Sequence, residues 1–406
     1  MQQTIIDETP ARDRSALEVF LVFLRLGLTS FGGPVAHLGY FRTEFVARRR
    51  WLGEAAYADI VALCQFLPGP ASSQVGLSIG LLRAGLPGAL AAWLGFTMPS
   101  ALALIAFAYG VGRIGDLSQM PALHGLKIVA VAVVAQAVWG MARSLAPDRE
   151  RATVAVSGAL VALALPTTLG QIAVILFGAV AGGVLLPRVA VPPAGEALHG
   201  GLDRRWALAA LAGFFLLLAG LPLLAAVSDN QAVQVFDAFY RTGALVFGGG
   251  HVVLPLLQAA VVPPGWVGSD AFLAGYGAAQ AVPGPLFTFA AYLGTVMGPE
   301  PNGWLGGLLC LAAIFLPSFL LVAGVLPFWD ALRRRDGVQA ALRGINAAVV
   351  GLLLAALYTP VWTGAIHAPG DFAVGLGAFL LLVFWRVPPW LVVLLGALGA
   401  TALAAL

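Results

Sequence analysis

Charge is the scarcest thing in this sequence. Only 10% of its 406 residues are Asp, Glu, Lys or Arg, against roughly 25% in an ordinary soluble domain. So few charges cannot cover a water-exposed surface. With 60% of the residues hydrophobic and a mean hydropathy of +0.91, the bilayer is the natural solvent for the rest. Cysteine is almost absent. Cys64 and Cys310 each sit inside an apolar run, which argues for free buried thiols and against a disulfide framework or a metal cluster. The net charge of +3 is too small to call for nucleic acid. No Gly-x-x-x-x-Gly-Lys-Ser/Thr loop occurs, so intrinsic ATP hydrolysis is not expected, and no Gly-x-Gly-x-x-Gly on a strand offers a flavin or nicotinamide site. No cofactor, metal or catalytic residue is therefore expected, and the chain does not read as an enzyme. The first 16 residues are polar and hold Arg12 and Arg14, so a cleavable signal peptide is not expected either.

Apolar runs long enough to cross a bilayer, about 20 residues each, recur along the whole chain. They are interrupted unusually often, by 50 glycines and 26 prolines. At membrane depth such breaks survive only when buried in protein or lining a watery cavity. The expected fold is an all-α integral membrane protein with discontinuous or re-entrant helices, as in secondary transporters.

The interruptions repeat. Phe31-Gly32-Gly33 answers to Phe247-Gly248-Gly249, and Arg25 to Arg241. Gly27 matches Gly243, and Trp51 matches Trp266. Gln65-Phe66-Leu67-Pro68-Gly69-Pro70 aligns with Gln280-Ala281-Val282-Pro283-Gly284-Pro285, and Pro99-Ser100 with Pro317-Ser318. The order is kept with small gaps, so the chain is a tandem duplication: repeat 1 over 1–200 and repeat 2 over 231–406. Residues 201–230 hold a linker end and one apolar stretch, Ala207–Val227, that has no counterpart. An unpaired span between repeats of even span number turns the second upside down, so inverted-topology repeats are expected.

Positive charge concentrates on the cytoplasmic side of membrane proteins. If every apolar segment spans, there are 13 spans, the Arg42–Arg50 loop lies outside and 14 basic residues lie inside. If the Phe-Gly-Gly and Pro-Gly-Pro segments are instead hairpins, nine full spans remain. Then 18 basic residues lie inside and Arg113 alone lies outside. The hairpin arrangement satisfies the rule better. Both place the N-terminus in the cytoplasm and the C-terminus outside.

Arg25 and Arg241 lead the candidate site. Each lies six residues before a Phe-Gly-Gly break in an apolar segment, and an intramembrane guanidinium is costly and usually functional. A pseudo-twofold axis would bring the pair toward one central site, where forked N–H donors suit a dianion's oxygens. The plainer readings are an i,i+4 pair between Asp237 and Arg241 and a snorkelling Arg25. At the breaks, exposed N–H groups and half-helix N-termini make anion sites. Gly32, Gly33, Gly69, Gly248, Gly249 and Gly284 would admit an oxyanion close to the backbone, or serve only for tight packing. Ser72 and Ser73 add hydroxyls after the first Pro-Gly-Pro, with Thr288 in the second half. Gln65 and Gln280 could donate to an oxyanion or cap a broken helix. Lys127, matched by Asn346, could hold charge near the site or snorkel. His37, Glu44, Glu54 and Asp59 form a weaker set that could relay protons, and repeat 2 has no matching set because Val253 stands where His37 would.

Phe31-Gly32-Gly33-Pro34, Trp51-Leu52 and Gln65-Phe66-Leu67-Pro68-Gly69-Pro70, with their echoes in the second half, resemble the chromate transporter family in its long, two-domain form. The resemblance covers nearly the whole chain. It implies a bidomain inner-membrane protein that exports chromate from the cytoplasm and confers chromate resistance, with sulfate or another oxyanion as the alternative substrate. Partners are then the oxyanion and the bilayer, with a homo-oligomer left open. Repeat 2 departs from the first Gly-Gly-Pro with Gly249-Gly250-His251, so the two halves are not equivalent.

Overall fold

The Phe-Gly-Gly and Pro-Gly-Pro sequences end helices outright rather than kinking them. The computed structural model describes residues 15–112, 120–187, 203–332 and 335–404, and every regular element among them is helical. Arg113 and nearly all of the linker before Arg205 lie outside the described residues. Helix α1, Ala16–Thr29, starts on Ser15, whose side chain accepts from the Leu17 N–H. It stops at Ser30, and the chain reverses through Gly32 (φ +101°) and Gly33 (φ +76°). These are left-handed conformations that favour glycine. Helix α2, Gly33–Phe41, has Pro34 in its first turn, where no intrahelical N–H is lost, and continues as a wider turn to Arg48. Arg49 Nη1 then lies 3.1 Å from Glu18 Oε1. The second arm therefore ends beside the start of the first.

The next pair repeats the plan. Helix α3, Glu54–Phe66, stops before Gly69 (φ +121°), and α4, Ala71–Gly112, returns. Arg83 in α4 sits 3.5 Å from Glu18 Oε2, and its guanidinium lies 4.9 Å over the Trp51 ring. At about 1.5 Å per residue, the 14 residues of α1 and 13 of α3 fall short of a roughly 30 Å hydrocarbon core. Both pairs are re-entrant hairpins opening at one end of the molecule. At Ala84 and Gly85 α4 leaves helical geometry. Its second stretch runs back along the first, so closely that a Cβ on Gly88 would meet the Gly80 carbonyl oxygen.

Helices α5 (Pro121–Leu145), α6 (Arg149–Ala164), α7 (Thr168–Leu185) and α8 (Arg204–Val227) follow. Asp148 caps α6 by accepting from the Arg151 N–H, and the Arg151 side chain holds its carboxyl below the ordinary carboxylate range. Helix α8, the unpaired span, turns most of its apolar surface outward, with Leu216, Leu223 and Phe215 all exposed. That face suits lipid.

Repeat 2 is built alike. Helices α9 (Gln231–Leu245) and α10 (Val253–Val261) flank Gly248 (φ +79°) and Gly249 (φ +136°). Helices α11 (Ser269–Ala279) and α12 (Phe289–Val296) flank Gly284 (φ +90°). The Gly298 N–H donates to the Trp266 carbonyl at 3.0 Å, joining the open ends. Helices α13 (Gly303–Val325), the single turn α14 (Trp329–Leu332), α15 (Asp336–Ala356), α16 (Pro369–Val383) and α17 (Pro389–Ala404) complete the chain.

One hydrogen bond fixes the relative orientation of the halves. The Trp304 N–H donates to Tyr109 Oη at 3.1 Å. Tyr109 is at the far end of α4 from Arg83, and Trp304 adjoins the open end of the second hairpins. The two hairpin sets therefore open at opposite ends, which is the inverted arrangement. Among the described residues six helices are long and apolar enough to cross a membrane, and α16 and α17 are shorter apolar helices.

Candidate functional site

The four breaks meet. The Gly69 N–H donates to the Val246 carbonyl at 2.7 Å, and the Gly284 N–H donates to the Ser30 carbonyl at 2.9 Å. These bonds are equivalent under the repeat, because Gly69 matches Gly284 and Ser30 matches Val246. Each Pro-Gly-Pro turn thus hydrogen-bonds to the Phe-Gly-Gly break of the other half. The serines follow the same symmetry: a Cβ on Gly69 would lie 2.8 Å from Ser318 Oγ, and one on Gly284 would lie 2.6 Å from Ser100 Oγ. A Cβ on Gly250 would lie 3.4 Å from Pro34 Cγ. The starts of α2 at Gly33 and α4 at Ala71 are therefore gathered with the helical turns that begin at Gly250 and Leu286. Each start leaves N–H groups without intrahelical partners and carries partial positive charge.

Close helix packing holds the crossing in place. A Cβ on Gly27 would lie 2.5 Å from the Gly95 carbonyl oxygen, and one on Gly243 would meet the Ile314 carbonyl oxygen. Glycine at both positions lets α1 lie on α4 and α9 on α13. Between them Trp93 packs edge-on against Phe315 and Phe319, so α4 and α13 form the central pair.

Several polar side-chain atoms at the breaks are buried without a hydrogen-bond partner: Ser30 Oγ, Ser73 Oγ and Thr97 Oγ1. A buried polar group left unpaired costs roughly 1–3 kcal/mol. Such a group calls for a ligand, and hydroxyl and amide donors next to four helix starts suit an anion.

The sequence-derived site residues divide into groups. Gly32, Gly33, Gly69, Gly248, Gly249 and Gly284 all adopt positive φ at the crossing. Ser72 and Ser73 are buried in the first turn of α4. Gln280 is half-buried beside Gly284. Gln65 is exposed on the last turn of α3. Lys127 is buried and bonds across the repeats to Asp270 Oδ1 at 2.9 Å. Arg25 is exposed on α1. The Arg241 guanidinium donates to the Asp237 carboxylate one turn back. Helix α1 packs on α4 and α9 packs on α13, so the two arginines belong to different helix pairs. Arg241 and Asp237 instead line a cavity of about 390 Å³ with Gln171, Gln234, Thr168 and Trp266.

Ser30, Thr97, Ser100, Ser318 and Gln74 belong to the crossing but were not singled out as ligands. Ser100 and Ser318 had a signal, the duplicated Pro-Ser pair. Gln74, which donates to the Pro68 carbonyl at 2.6 Å, had none. Glu44 and Glu54 are held by Arg48, Arg49 and Arg42 at the open end of the first hairpins, apart from His37.

Two inverted repeats of broken helices, crossing in the middle of an apolar bundle, define the architecture of a membrane transporter. A profile described as chromate transporter matches residues 17–183 and again 233–401, and the chain belongs to that family. It is 27% identical over 395 residues to a probable chromate transport protein of Synechococcus elongatus, covering 93% of each chain. It is 29% identical over 371 residues to the chromate transport protein of Pseudomonas aeruginosa, covering 89% of this chain and 85% of that one. The chromate transport protein of Cupriavidus metallidurans is 26% identical over 374 residues, with 91% and 88% covered. No solved structure matches.

Proposed function

We propose that the chain exports chromate from the cytoplasm by alternating access around the crossing, and so confers chromate resistance. It does this as a multi-pass protein of the cell inner membrane, with a cytoplasmic N-terminus and an external C-terminus. Repeat 1 (1–200) and repeat 2 (231–406) would rock about each other, with 201–230 carrying the unpaired helix between them. The observation that carries this reading is the meeting of helix starts from both halves at two cross-repeat hydrogen bonds. Backbone N–H groups there, with the hydroxyls of Ser72 and Ser73 and the amide of Gln280, would bind the oxygens of a tetrahedral dianion. Arg25, Arg241 and Lys127, the last two each paired with a carboxylate, would supply only longer-range positive charge, and Gln65 a polar lining near the entrance.

The membrane potential can drive the export. With the inside negative, moving a dianion outward is favoured by about 4.6 kcal/mol per 100 mV, twice the ~2.3 for one charge. A ring of N–H and O–H donors recognises a tetrahedral dianion, not chromium itself. The second reading is therefore a sulfate or other oxyanion carrier that accepts chromate as an analogue.

Labelled chromate uptake into inside-out vesicles, with and without equal sulfate, separates the two. Saturable uptake that resists equal sulfate supports chromate export, and uptake abolished by it moves the assignment to sulfate. Absence of protein-dependent uptake would remove the reading.

A further inference from the structure

Among the described residues of repeat 1, His37 is a titratable side chain wired into the crossing. Its ring is 1% exposed and packs edge-on against Phe96. Nε2 lies 3.2 Å from the Ser30 carbonyl oxygen, and Nδ1 lies 3.3 Å from Ser72 Oγ. The same Ser30 carbonyl accepts the Gly284 N–H of the other repeat. The ring thus bridges the Phe-Gly-Gly break to the first turn of α4, and it touches the carbonyl that holds the two repeats together.

The hydrogen-bond roles follow from the partners. A carbonyl oxygen only accepts, so Nε2 carries a hydrogen. In the neutral ring Nδ1 is then an acceptor, and the Ser72 hydroxyl donates to it. That hydrogen is unavailable to a ligand. When Nδ1 takes a proton from the aqueous phase it becomes a donor, and the Ser72 oxygen accepts. The Ser72 hydrogen is then free to turn toward an oxyanion beside Ser73, whose hydroxyl has no partner. The same event adds one positive charge next to the anion.

We propose that His37 is a proton-binding site linked to the oxyanion site, so that one proton is taken up on Nδ1 as one tetrahedral oxyanion binds at the α4 start. This rests on placing the anion at the crossing. The charged and titratable groups on the surrounding elements have other positions. Glu18, Arg42, Glu44, Arg48, Arg49, Glu54 and Arg83 are engaged at the hairpins' open end. Tyr57 of α3 donates to the Leu38 carbonyl, and Cys64 contacts Ser78. Asp59 lies on α3, and Arg25 is on the exposed face of α1. Both ring nitrogens of His37 are already used by Ser30 and Ser72.

Linkage is reciprocal, so the proton and the anion must strengthen each other's binding equally. The test is calorimetric titration of the purified full chain with chromate, in two buffers of different ionisation enthalpy, which counts protons taken up. His37→Gln is the matched variant, because its amide can donate to Ser30 and accept from Ser72 but does not titrate. The wild type is expected to take up close to one more proton per chromate than His37→Gln, and its affinity to weaken up to about tenfold more per pH unit rise. Because both proteins meet the same anion, protonation of chromate itself cancels in the comparison. Equal proton uptake by the two would overturn the proposal while leaving the anion site intact. A wild type that binds no chromate would overturn both it and the reading it rests on. If His37→Gln does not elute as a folded species, His37→Asn takes its place, since it too carries an amide that does not titrate. Proton uptake well below wild type supports the link, and unchanged uptake refutes it.

Discussion

The two breaks in repeat 1 and the two in repeat 2 share a backbone and differ in chemistry. Around the first set stand Ser30, His37, Ser72, Ser73 and Gln74. The matching positions in the second set are Val246, Val253, Phe287, Thr288 and Phe289. Thr288 alone keeps a hydroxyl there, and it donates within its own turn to the Pro285 carbonyl. Arg241 has Asp237 one turn back, whereas Arg25 has Leu21 at the equivalent place. The duplication therefore preserves what builds the frame: positive-φ glycines, prolines at helix starts and close-packed glycines. At these matched positions hydroxyl and imidazole side chains stand mostly in the first half, while Gln280, His251 and Ser318 are polar groups of the second. Inverted repeats need equal scaffolds to rock symmetrically, and they do not need equal contacts to the cargo.

The largest effects should come from breaking the shared frame, and they should be equal in the halves. Gly69→Val and Gly284→Val each force a branched side chain into a positive φ and against a serine oxygen. Overpacking alone costs about 1–3 kcal/mol, and left-handed strain adds about 1–2 kcal/mol. Thermal unfolding in detergent should show both variants lowered together, with transport lost in both. A large loss in only one would break the equivalence.

The polar contrast comes next. Ser72→Ala and Ser73→Ala should each raise the KM for chromate about 10- to 150-fold, since a hydrogen bond to a charged group contributes about 1.5–3 kcal/mol. Thr288→Val should change it less than about threefold, because that hydroxyl already serves its own turn. Initial-rate uptake in vesicles measures both, and equal losses would mean that repeat 2 contributes as much as repeat 1.

Releasing Arg241 should act more gently. Asp237→Asn removes its charge partner and should tighten chromate binding by up to about fivefold, in keeping with the ~0.2–1 kcal/mol of a partly exposed pair. Equilibrium binding of labelled chromate reads this directly. The smallest effect is expected at Lys127→Gln. Its partner Asp270 has a half-exposed side chain, so the cross-repeat pair should contribute no more than about 1 kcal/mol. A Tm shift of a few degrees, with transport retained, is the expected result.

What was legible in the sequence was mostly backbone. Phe-Gly-Gly and Pro-Gly-Pro announce breaks because a positive φ favours glycine and a helix start tolerates proline. The duplication announced inversion through the unpaired α8. The choice of hairpins over spans followed from the arginines near Arg42–Arg50, and the Glu18–Arg49 contact agrees with it. What was not legible was partnership across the repeats. The Gly284–Ser30 bond is made by main-chain groups that any residue carries. His37 finds Ser72 thirty-five positions away, whereas the sequence had grouped it with nearby carboxylates. Symmetry in sequence also paired Arg25 with Arg241, yet their surroundings differ: Arg25 is exposed, and Arg241 donates to Asp237.

The most direct test of the account is to locate bound chromate by anomalous scattering at the chromium edge, in crystals of the full chain. The account predicts a peak within hydrogen-bonding distance of the turns at Gly32–Pro34 and Gly69–Ser73. A peak confined to the Asp237–Arg241 cavity would contradict it.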